Sequence, residues 1–261
     1  MTLLKHEIKQ GWKSFIIFTG AIGAFIIACI MLYPEMKGEM NEMGDMFSSM
    51  GVFSEAFGMD RLNFGTLIGF YGIECGNILG IGGALFAALI GIGALAKEEK
   101  EKTAEFLLSH PIKRSRVVTE KLLAVLVQIV VLNVLVFGMT VASIAIIGEE
   151  IPWKEICLLH LGYFLVQVVL AGICFGISAF IRRGGLGIGI GIAAVMYFLN
   201  IVANITEKAE DLKYITPFGF ADAADIISEL KLDTTGVAIC MVMAVLGVIA
   251  AYFKYTRKDI S

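Results

Sequence analysis

The chain has 261 residues, is 57% hydrophobic and only 17% charged, and has a mean hydropathy of +0.81. A water-soluble domain is ordinarily about half apolar and about a quarter charged, so much of this surface has lipid as its solvent. The net charge of −3 says less than its distribution, and nothing in it supports a nucleic-acid partner.

A helix that crosses a bilayer needs roughly 20 mostly apolar residues. Six runs qualify, at residues 14–33, 64–96, 117–147, 155–181, 185–203 and 235–253. They predict an all-α polytopic membrane protein, a single domain over 1–261. Ahead of the first run, Leu4, Ile8, Trp12 and Phe15 recur at helical spacing, with Lys5, Lys9 and Lys13 elsewhere around the turn. That pattern predicts an amphipathic interfacial helix leading into the membrane. Met40, Met43, Phe47, Met50, Phe53 and Phe57 make a second stripe between the first two runs.

The second run carries a ridge of small residues, Gly65, Gly69, Gly72, Gly76, Gly80, Gly83, Ala87, Gly91 and Ala94, spaced by three or four. Such a ridge lets another helix approach closely. Glu74 is the one acid more than a helical turn inside a run and a candidate pathway-lining residue. Its 23-residue distance from Lys97 corresponds to roughly 34 Å of helix, which places it at the outer boundary and facing away from the ridge.

The connection Lys97 to Arg116 is dense in charge, acidic first and basic after. Residues 97–108 favour helix, and Pro111 marks a break. Phe106, Leu107 and Leu108 form an apolar patch that needs a membrane surface or a protein groove. Further on, Gly172/Gly176, Gly185/Gly189 and Gly187/Gly191 repeat the small-residue spacing. Gln128, Asn133, Gln167 and Asn200 are expected to hydrogen-bond between helices. Glu149 and Glu150 with His160 faintly suggest a membrane protease, but Lys154 and Pro152 spoil the motif. In the last long connection, Thr216-Pro217 reads as an N-cap and first turn, with Phe220, Ala224, Ile227 and Leu230 on one face of a surface helix.

Lys and Arg divide unevenly between the two sets of connections, fifteen against six. By the positive-inside rule, both termini and the 97–116 loop are cytoplasmic. Cys29, Cys75, Cys157, Cys174 and Cys240 lie in or near apolar runs and read as small hydrophobes.

The run Glu99, Glu101, Thr103, Glu105, Leu107, Leu108, Pro111 and Arg114 resembles the first cytoplasmic loop of ABC-2 type transporter permeases. That loop reads G-T-x-E-x-L-L-x-x-P-x-x-R after a stretch of glutamates, with Lys102 here in the place of Gly. Six runs, the amphipathic start, Thr216-Pro217-Phe218 and the tail Tyr255 to Asp259 extend the resemblance over nearly the whole chain. It implies a coupling helix seated in a separate ATP-binding cassette subunit, with ATP-driven alternating access and export across the plasma membrane, most simply in a bacterium. Glu98, Glu99, Glu101, Thr103, Glu105, Phe106, Leu107 and Pro111 would form the ATPase-coupling surface. The chain has no GxxxxGK[ST] loop, so it would not be an enzyme itself and would hold no cofactor; ATP and Mg²⁺ would bind the partner. Six spans imply a homodimer or a heterodimer with a second permease, embedded in membrane lipid. An alternative is a secondary transporter or channel without an ATPase partner, which requires ionisable groups near the midplane.

Overall fold

Long apolar runs without water have one way to satisfy their backbone groups, which is to close every hydrogen bond within a helix. The computed structural model describes residues 2–48, 51–100, 113–181, 185–205 and 207–257. Among these the protein is all-helical, with no strand. The elements are α1 (Thr2–Ser48), α2 (Val52–Phe57), α3 (Leu67–Phe70), a π turn (Tyr71–Cys75), α4 (Gly76–Lys100), α5 (Arg114–Ile147), α6 (Trp153–Ser178), α7 (Leu186–Ile205), α8 (Ala223–Glu229) and α9 (Thr234–Arg257). Short 3₁₀ turns cover Glu207–Tyr214 and Gly219–Ala221.

Among the described residues six stretches are long and apolar enough to cross a membrane: Leu3–Gly38, Leu67–Lys97, Arg114–Ile147, Trp153–Ser178, Leu186–Ile205 and Thr234–Arg257. Each coincides with one of the six expected runs. The first is longer than expected because α1 runs without a break from the amphipathic start through Pro34. Proline normally ends or kinks a helix. Here the turns around it are held from outside. Tyr33 donates to the Gly65 carbonyl at 3.0 Å, and Lys37 pairs with Glu149 at 2.7 Å.

The centre of the bundle is α4 and α6. In each, 61% of the most apolar window is buried, against 22% for α7 and α9. The small-residue ridge explains the contact. Gly76 and Gly80 lie against the Tyr163 ring, Gly83 against the Gln167 amide, and Gly91 against the Ala171 backbone, where an added Cβ would sit 2.7 Å from the carbonyl oxygen. Tyr163, Gln167 and Ala171 are four apart, one face of α6. The opposite side of α6 repeats the device, with Gly172 against Ala244 and Gly176 against Gly247 of α9. The ridge is therefore an internal seam. On α7 the two glycine pairs divide: Gly185 and Gly189 meet Ile92, whereas Gly187 and Gly191 have nothing within 4 Å among the described residues.

The basic residues gather at one end of the bundle, here the basic end, where α1 begins, α4 stops, α5 starts and α9 finishes. Leu3, Leu95, Val117, Val118 and Tyr255 share one hydrophobic cluster there. Gly65, Glu149 and the segment 215–233 lie at the other, acidic end.

That segment corrects an expectation. Instead of lying on a membrane surface, it is driven into the bundle as a cap. Phe218, Phe220, Ala221, Ala224 and Ile226 are all buried. Nor does Thr216 start a helix. Its hydroxyl, fully buried, donates to the Met196 carbonyl at 2.7 Å. The helix begins at Ala223, where the Asp222 carboxylate accepts from the Ala224 and Asp225 amides. Leu230, expected on the helix face, instead ends it in the left-handed conformation at φ 51°.

Candidate functional site

The expected coupling loop falls largely outside the described residues: Glu101, Thr103, Glu105, Phe106, Leu107 and Pro111 belong to 101–112. Glu98 and Glu99 lie in the last turn of α4, which continues one turn beyond the apolar run to Lys100; their side chains are also outside the described residues. What the structure does describe is the frame that holds both ends of that loop.

Lys121 is at the centre of the frame. It lies on the second turn of α5, and its side chain is wholly buried. Its ammonium donates to Glu7 Oε1 at 2.9 Å and to the Ala94 carbonyl at 2.7 Å. A buried lysine needs such partners, because desolvating an unpaired charge is costly. One side chain thereby joins α1, the end of α4 and the start of α5. The neighbouring Glu120 makes the second tie. It accepts from Arg116 Nε at 2.8 Å and from the Leu4 amide at 3.1 Å. At the same end, the Thr119 and Tyr252 hydroxyls bond at 2.8 Å, joining α5 to α9.

A cavity of about 270 Å³ opens beside this frame, between α1, α4, α5 and the start of α7. Its walls are mostly apolar, with Glu7, Gln10, Ser14, Lys97, Lys121 and Gln128 as the polar groups. Gln128 Nε2 bonds within its own helix, to the Ala124 carbonyl at 3.1 Å, and its Oε1 is buried with no partner. The expected interhelical bond is therefore not made there. Asn133 and Gln167 do make one, joining α5 and α6 at 2.7 Å.

Glu74 stands at the other end. Its side chain is exposed, while Tyr71, Gly72, Ile73 and Cys75 around it are buried. It points away from the glycine seam, as the sequence suggests. Sequence reasoning missed the π turn that carries it. π turns recur at functional sites, and this one places the Tyr71 hydroxyl 2.8 Å from His160 Nε2 and 3.2 Å from the Thr140 hydroxyl. His160 is thus buried on α6 against Tyr71 of the π turn and Phe137 of α5. Glu149, the other residue of the protease-like stretch, is in the ion pair with Lys37.

The cap is bound to the segment after α2 by Arg61, which pairs with Asp222 at 3.1 Å and also with Asp225. Burial disfavours its charge, but the two carboxylates outweigh that and raise its pKa above the usual value. Among the described residues no cluster of His, Cys, Asp and Glu could hold a metal. The five cysteines are all free.

Compared with known protein families, the chain matches the one described as ABC-2 family transporter protein, over residues 1–260. No curated protein matches it. Six apolar helices, two glycine seams and a match over almost its whole length lead to one conclusion: this chain is a multi-pass membrane protein that belongs to the ABC-2 transporter family.

Proposed function

We propose that the chain is the transmembrane subunit of an ATP-driven exporter in a bacterial plasma membrane. Its basic end faces the cytoplasm, and a separate ATP-binding cassette subunit docks on residues 97–116. ATP and Mg²⁺ bind that partner, and two permease chains, identical or paired with a sibling, share the transport pathway by alternating access. The observation that carries this is the frame around Lys121. A loop that receives force must have both roots tied to the bundle, or it moves alone. Here one ammonium bonds α4 at Ala94 and α1 at Glu7 from its place on α5. The acidic Glu98, Glu99, Glu101 and Glu105 would meet basic residues on the ATPase, with Phe106 and Leu107 as the apolar anchor. The role of Glu74 follows as a pathway-lining one at the outward end.

The test is co-purification in mild detergent. The native chain should bring down a stoichiometric soluble subunit carrying a phosphate-cradling loop. Phe106→Ala should insert normally yet lose most of that subunit, through a faster off-rate of about tenfold or more. Full retention by Phe106→Ala and by Glu105→Lys would remove the coupling role of the loop.

A further inference from the structure

The acidic end contains a second, smaller cavity, far from the Lys121 frame. It measures about 50 Å³ and lies between α4, α6, α7 and the cap. That is room for a few waters or one compact group.

Its polar wall is built largely from hydrogen-bond acceptors. Asn77 Nδ2 donates to the Ile73 carbonyl of the π turn at 2.7 Å, so its Oδ1 is the free end and accepts from the Tyr197 hydroxyl at 3.3 Å. Asn204 is oriented just as firmly, because its Nδ2 donates to Asp222 Oδ2 at 3.2 Å. Its Oδ1 is buried and has no partner. Asn200, one helical turn earlier and only 8% exposed, likewise has a buried Oδ1 with no partner. No bond among the described residues holds its amide, which can turn about χ2 at little cost. Tyr163 completes the wall. Unpaired buried acceptors are costly and call for a donor or a cation. The charges at the cavity's edge agree in sign. Among the described ion pairs there, Arg61 alone stands against Asp60, Asp222 and Asp225, which makes the local field negative.

We propose that this cavity binds a small cation through its amide and hydroxyl oxygens, either a primary ammonium group or an alkali-metal ion. Bound there, the cation would add a further tie among α7, α4, α6 and the cap, beside the Tyr197–Asn77 and Asn204–Asp222 bonds. The proposal stands apart from the ATPase reading, and its test needs no partner subunit.

The experiment is thermal unfolding of the purified full chain in detergent, at constant ionic strength set by tetramethylammonium chloride. That ion is too large for the cavity and offers no N–H. Replacing it with methylammonium, sodium or potassium chloride should raise Tm saturably, by about 3–6 °C at roughly ten times the half-saturating concentration. A rise with methylammonium alone identifies an ammonium head group; a rise with sodium or potassium identifies a metal ion. Asn200→Leu should abolish the rise. Asn200→Asp, which keeps the shape and adds charge, should retain it at a lower half-saturating concentration. The proposal fails if no ion exceeds the tetramethylammonium baseline, or if Asn200→Leu responds as the native chain does. If Asn200→Leu does not fold, an unchanged half-saturation in Asn200→Asp overturns it.

Discussion

Replacing Lys121 by Met removes a charge while keeping most of the volume, and its effect follows from the burial of the pair. Lys121 is 0% exposed in its side chain and Glu7 is 13% exposed. Removing one member of a buried pair typically costs about 3–5 kcal/mol, because the other charge is left without compensation. Glu7 retains slight exposure and borders the 270 Å³ cavity, which can admit water, so the lower limit of about 3 kcal/mol applies. Glu7→Gln keeps an oxygen for the ammonium, which still has the Ala94 carbonyl, but it leaves the buried charge without a counter-charge and should likewise cost about 3 kcal/mol. The double variant buries no charge at all and should return to within about 1 kcal/mol of the native chain. The non-additivity is then about 5 kcal/mol. Thermal unfolding in detergent reads it as a Tm lowered by about 6–12 °C in Lys121→Met and largely restored in the double variant. Additive losses, or a Lys121→Met variant as stable as the native chain, would refute the picture of a dry, mutually dependent pair.

Other expectations follow from the packing. Gly91→Val should drive a side chain into the Ala171 backbone and destabilise by about 2–3 kcal/mol, whereas Gly187→Ala, on the open face of α7, should be neutral or slightly stabilising in the same melt. Asn133→Leu removes the amide bond to Gln167 and should cost about 0.6–2 kcal/mol; a larger loss would mean that Gln167 finds no other donor. Arg61→Ala should loosen the cap without unfolding the bundle, and faster proteolysis between 215 and 233 with an unchanged main Tm is the expected signature. Since Arg61 is 38% exposed in its side chain, the cost should stay near 1 kcal/mol, as for other partly exposed ion pairs.

The six spans were legible because length and hydropathy alone specify a bilayer-crossing helix. The glycine spacing was equally legible as a seam, but its partner was not: only the fold shows that Gly76 to Gly91 meet Tyr163, Gln167 and Ala171. The first span was expected to end at residue 33, just before Pro34. A local rule ends the helix there, and contacts from Gly65 and Glu149, distant in sequence, carry it through. Thr216 and Asp222 competed for one helix start. Asp222 won because its carboxylate satisfies two amides, while the Thr216 hydroxyl was drawn to Met196. The Glu7–Lys121 pair spans 114 residues of sequence, and each charge taken alone reads only as a sign of sidedness. The family resemblance was visible because the residues that carry it, between 97 and 116, lie in one short stretch of sequence.

The glycine seams also decide where this protein can change. α6 is closed on two sides by helices that approach to backbone distance, so a larger side chain on either face meets a carbonyl with nowhere to go. Sequence drift there is confined to residues no bigger than those present. Along Gly185 and Gly189 the α7 segment meets Ile92, Ile181 and the Ala88 carbonyl, whereas Gly187 and Gly191 border open space among the described residues. Under selection for new cargo, variation would accumulate on α7 and the cap, while the α4–α6–α9 sandwich would persist as the inherited chassis.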